Sequence, residues 1–114
     1  MTDLEKALSH ISDNIKKYRE SDPNDGNGLV EILQQISSTL FYLEKERAKY
    51  HEDFQRRINE GVLSGESVAR SENKAHLEVP EMYLLRRVMD SAYKVGDAIR
   101  TQISWIKSGL INPV

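Results

Sequence analysis

The chain has 114 residues, 16 Lys+Arg against 18 Asp+Glu and a formal net charge of -2, which is one domain's worth of sequence. It has no cysteine, which excludes a disulfide framework, a thiolate zinc site and a cysteine nucleophile. Three prolines and six glycines exclude a low-complexity chain. The opening residues Met1-Thr2-Asp3-Leu4-Glu5 lack the basic-then-apolar layout of a secretory signal. No run approaches the ~18 apolar residues that span a bilayer. The expectation is a soluble, cytoplasmic protein with no membrane partner.

The apolar pattern has a helical period almost throughout. Residues 1–20 read as an amphipathic helix, with Leu4, Leu8, Ile11, Ile15 and Tyr18 on one seam and Thr2 or Asp3 as its cap. Residues 21–28, rich in Pro, Asn, Asp and Gly, read as a flexible linker. A rod from Leu29 to Glu60 follows, about 32 residues and roughly 48 Å long. Its seam is Leu29, Leu33, Ile36, Leu40, Leu43, Arg47, Tyr50, Phe54 and Ile58. Gly61-Val62-Leu63-Ser64-Gly65 breaks the rod, and Ser64 caps a short helix from Glu66 to Leu77. Pro80 suits the first turn of a last helix that runs to about Ser108. The seam of that helix is Leu85, Val88, Ala92, Val95, Ile99, Gln102 and Ile106, widened by Leu84, Ile103 and Leu110.

These elements predict a single all-α domain over residues 1–114. Its core feature is a long antiparallel helical hairpin (29–114) with short extra helices, coiled-coil-like and oligomerising. A hairpin buries one stripe per helix, and an elongated small chain buries little of its surface. Copies are therefore expected to pack through Leu33, Ile36, Leu40, Leu43, Val95, Ile99 and Ile106 as a homo-oligomer. Arg47 and Gln102 interrupt these seams, and a polar seam residue sets register or partner number. A self-contained four-helix bundle is the alternative.

The charge is unevenly spread. Residues 1–27 carry four bases and six acids, 28–60 five and six, 61–79 two and three, and 80–114 five and three. The basic excess lies in the last helix, where Arg86, Tyr93, Arg100 and Lys107 recur every seven residues and share a stripe. Tyr42, Lys49 and Arg56 form a second stripe, with Arg57 beside it. Cations among rings suit single-stranded DNA: the cations neutralise phosphates and the rings stack on bases. The competing reading is interhelical salt bridging.

Catalytic constellations are absent from the sequence. His10, His51 and His76 are scattered. Glu72 and His76 have metal-ligand spacing but no second pair to complete a site. The glycines of Gly26-Asn27-Gly28 are not followed by the Lys-Ser/Thr of a phosphate-binding loop. The expectation is a non-enzyme with no metal and no cofactor.

The stretch Ser64 to Leu110 resembles the UvsY-type recombination mediators of large tailed phages and other short helical proteins of phage recombination clusters. The resemblance rests on a charged helix, Glu44 to Glu60, ending in a glycine turn. A short helix follows with the core Arg70-Ser71-Glu72-Asn73-Lys74, then a long amphipathic helix containing Asp97-Ala98-Ile99-Arg100. It implies an all-helical oligomer that binds single-stranded DNA and helps a RecA-like recombinase displace a single-stranded-DNA-binding protein, in the host cytoplasm if phage-encoded. It also implies DNA contacts on the helix before the turn, where this chain offers Lys45, Arg47, Lys49, Arg56 and Arg57. The alternative is a helical protein–protein adaptor, assembly chaperone or inhibitor without DNA binding. Its surface would lie around Phe41, Tyr42 and Trp105.

Overall fold

The computed structural model describes residues 1–109 as four helices with no strand among them: α1 (Asp3–Glu20), α2 (Gly26–Leu63), α3 (Val68–Glu78) and α4 (Glu81–Lys107). All-α is therefore the fold class. The chain sorts into two compact units: residues 1–43 with the chain from 88 onward, and residues 44–87.

In the first unit α1, the start of α2 and the larger part of α4 pack together. The apolar stripe of α2 supplies Leu29, Ile32, Ile36, Leu40 and Leu43, all buried. From α4 come Met89, Ala92 and Ile99, with Gly96 buried among them. Gly26 faces Ile106 and Gly96 faces Leu33, so these segments of α2 and α4 run in opposite directions. α1 closes the unit with Ile11 and a buried Asn14. Asn14 Nδ2 donates to the His10 carbonyl of its own helix at 2.9 Å. Between helices, Tyr18 Oη donates to Gln102 Oε1 at 2.7 Å, and His10 Nε2 lies 3.1 Å from Gln35 Oε1.

In the second unit, Phe54 of α2 meets Ala75 of α3 and Val79, with Tyr50, Ile58 and Met82 packed around them. The Phe54 and His76 rings lie 4.8 Å apart, tilted by 56°. Tyr50's hydroxyl is pushed above its ordinary range, first by burial and then by Glu81 and Glu46.

Several boundaries differ from the sequence expectation. α2 begins at Gly26, inside the expected 21–28 linker. The Asp25 carboxylate accepts from Gly28 N at 3.1 Å and its carbonyl from Leu29 N at 3.0 Å, so Asp25 caps the helix early. At its other end α2 runs past Gly61 to Leu63. α3 is capped by Ser67, whose hydroxyl accepts from Arg70 N, and not by Ser64, which donates to the Gly61 carbonyl at 2.8 Å. Arg47 is exposed and takes no place on a buried seam. Leu110 lies outside the described residues.

The seam expected to join copies is spent inside the chain. Ile36, Leu40, Leu43 and Ile99 are buried in the first unit, and Leu33, Val95 and Ile106 are half-buried there. The third apolar face that the stripes of α2 and α4 need is supplied by α1 of the same chain. Met89 and Gly96, outside the expected seam, complete the α4 face.

Candidate nucleic-acid interface

A phosphate-binding surface needs cations that reach solvent and are not already neutralised. In the second unit, Lys45, Arg47, Lys49 and Arg56 are exposed and Arg57 is half-buried. Most of this group is locally paired. Lys49 Nζ lies 3.2 Å from Glu46. Arg56 pairs with Asp53 one turn back and reaches Glu60 at 3.7 Å. Arg57 Nε donates to Asp53 at 3.1 Å, and its Nη1 pairs with Glu78 of α3. Bonds from Arg56 and Arg57 hold the Asp53 carboxyl below the usual aspartate range. Hydrogen bonds to Asp53 and Glu78 hold the Arg57 guanidinium above its own. The i,i+3 and i,i+4 spacing of Glu46, Asp53, Lys49, Arg56 and Arg57 places these partners on one helix face. The Arg57–Glu78 pair spans 21 residues and follows only from the packing of α3.

The start of α4 belongs to the same unit and is less neutralised. Arg86 and Arg87 are exposed and have no ion pair among the described residues. The Arg87 guanidinium sits over the Tyr83 ring, 5.7 Å from its centroid, a cation–π contact worth about 0.5–1 kcal/mol when exposed. Tyr83 itself is 64% exposed.

In the first unit, α4 presents Lys94, Arg100 and Lys107 to solvent beside the exposed rings of Tyr93 and Trp105. Arg100 pairs with Asp97 at 3.1 Å across one turn. Lys94 and Lys107 have no ion pair among the described residues. Arg87 and Lys94 were missed by the seven-residue stripe. Each directly follows one of its members, Arg86 and Tyr93, and that adjacency was the available signal.

A polar cleft of about 240 Å³ in the second unit is lined by Arg57, Glu60, Glu66, Ser71, Lys74 and Glu78, among others. Lys74 pairs with Glu66 at 3.1 Å, so the lining charges largely cancel. Ser71 Oγ is buried without a hydrogen-bond partner and packs against Gly61. No histidine lines the cleft, so this hydroxyl has no imidazole base beside it. Among the described residues, no group of three or more His, Asp or Glu side chains is placed to hold a metal, and no helix is long and apolar enough to cross a membrane.

Comparison of the chain with protein-family models, curated proteins and solved structures returned no match.

Proposed function

We propose that this chain is a recombination accessory protein of the UvsY type. It binds single-stranded DNA and assists loading of a RecA-like recombinase against a single-stranded-DNA-binding protein. The observation that carries the reading is the exposed cations of α4, taken unit by unit. In the second unit Arg86 and Arg87 stand exposed with Tyr83, and in the first unit Lys94, Arg100 and Lys107 stand exposed with Tyr93 and Trp105, in an otherwise acidic chain. Cations of this kind neutralise phosphates without reading sequence, and rings stack on any base. The ion pairs of Lys49, Arg56, Arg57 and Arg100 are surface pairs of small net worth, so phosphates can compete for these cations as well.

The protein acts by binding alone, with no catalytic step and no cofactor, in the cytoplasm, that of the host cell if it is phage-encoded. Copies associate, which concentrates modest basic patches into one surface and offsets the acidic balance of a single chain. Since the seams are buried within the chain, association uses side chains outside them.

Fluorescence anisotropy of a labelled oligo-dT at two salt concentrations tests the reading. Binding should weaken steeply with salt, with a slope of about -0.7 per neutralised phosphate. Absence of binding at low salt removes it. That outcome leaves the adaptor reading, which the 67% exposure of Phe41 and the 82% exposure of Leu77 favour.

A further inference from the structure

On the first unit's part of α4, two lines of exposed residues run side by side. One is Tyr93, Asp97, Arg100, Ser104 and Lys107, and the other is Lys94, Thr101 and Trp105, with half-buried Ala98 between Lys94 and Thr101. Within each line successive residues are three or four apart, so each line is continuous along the helix. Trp105 is 46% exposed. A helical side chain leans toward the turn before it, where the neighbours of Trp105 are Thr101 and Gln102. Cations at 94, 100 and 107 outnumber the carboxylates at 90 and 97, the second of which pairs with Arg100. This combination is unlike that of a buried core tryptophan or of a neutralised helix surface.

We infer that Trp105 is the stacking platform for an unpaired base of single-stranded DNA, with phosphates held by Lys94, farther back on its own line, and by Arg100 and Lys107 on the line about 100° round the helix. The assignment rests on the DNA-binding reading above and adds to it the contacting face. That face lies on α4, away from the helix before the glycine turn to which the family resemblance points. Charge complementarity selects a polyanion, and the ring selects a strand whose bases are unstacked. A duplex presents its bases edge-on in the grooves and offers the ring nothing to stack on.

The chain has one tryptophan, so its intrinsic fluorescence reports on this position alone. Titration of the full-length protein with unlabelled oligo-dT should quench Trp105 emission with the same midpoint that anisotropy gives for labelled oligo-dT. Trp105→Ala should weaken binding roughly 5- to 150-fold, the range for loss of one stacked base. Trp105→Phe, which keeps a ring, should recover most of it. Lys94→Glu with Lys107→Glu should flatten the salt slope by about 1.4, two phosphates' worth. The charge-matched control Lys16→Glu with Lys17→Glu, on α1, should leave the slope nearly unchanged. Circular dichroism confirms that each variant is folded.

Oligo-dT that binds without quenching Trp105, and binds Trp105→Ala as tightly as the parent, places the strand elsewhere. That result overturns the inference and leaves the DNA-binding reading intact. Equal quenching and affinity with a blunt duplex also overturns it, because stacking would then play no part. No binding by anisotropy removes both.

Discussion

The Tyr18 hydroxyl donates to Gln102 across the first unit, which changes the role expected of that glutamine. A polar residue on an apolar seam sets register or partner number at some cost in stability, so by that rule leucine at 102 would stabilise. The geometry reverses this for Gln102. Gln102→Leu leaves a half-buried hydroxyl without its acceptor and should cost about 1 kcal/mol. Tyr18→Phe should cost a similar amount, and the double variant less than the sum, as a double-mutant cycle in urea would show. Arg47 is exposed, so Arg47→Leu alone should leave the melting temperature nearly unchanged. Asp53 gives a pH prediction. Its carboxyl is held below the ordinary value by Arg56 and Arg57, so its stabilising contribution is present above the unfolded aspartate value of about 3.9. That contribution is lost as pH falls through the lowered folded value. Asp53→Asn should therefore lower the melting temperature slightly at pH 7 and by progressively less as the medium is acidified below the unfolded aspartate value, and added salt should shrink the difference.

Two helical glycines make opposite predictions at the scale of elements. A Cβ on Gly61 would lie 2.5 Å from Ser71 Oγ and 3.0 Å from its Cβ, because α2 and α3 approach closely there. Gly61→Ala should push the helices apart and lower stability. Ser71→Ala removes a buried hydroxyl that has no partner and should raise stability by about 1 kcal/mol. At Gly96 the nearest atoms to a new Cβ are 3.5 and 3.8 Å away, at Arg100 and Leu33, which is ordinary contact. Gly96→Ala should therefore gain up to about 1 kcal/mol of helix propensity. Thermal melts of the three variants check the signs. If Gly61→Ala and Gly96→Ala move in the same direction, the close α2–α3 contact is not what sets the cost.

For the whole molecule, the question is whether the buried stripes belong to one chain or to an assembly. Leu43 is fully buried within a single chain. Leu43→Ala should cost about 2–5 kcal/mol, and that cost should not change on tenfold dilution. An interface between copies at Leu43 would instead make the cost of Leu43→Ala itself change with concentration. Association of copies is a separate matter, and light scattering at micromolar concentration measures it directly. A monomer there removes the oligomer from the proposed function without touching the core assignment.

Periodicity in the sequence was enough to establish four helices and most of their inward stripes. A 3.6-residue repeat says which face of a helix is apolar, and a cap such as Thr2 acts over three residues, whereas at α3 the sequence pointed to Ser64 and the cap is Ser67. It does not say what covers that face. Ile36, Leu43 and Ile99 looked like contacts between copies until α1 of the same chain was seen to close over the unit, a pairing set by long-range ties such as Tyr18 to Gln102, 84 residues apart. Gly96 and Met89 were missed because burial there follows from the neighbouring helix and not from their own seam. The candidate site divides the same way. Exposed cations and rings on α4 were legible as a stripe, since seven residues return to nearly the same helix face. Only the tertiary structure decided which cations are neutralised, because a guanidinium is claimed by whichever carboxylate packing brings near it. For Arg57 that is Glu78 of another helix, and for Lys94 and Lys107 it is none among the described residues.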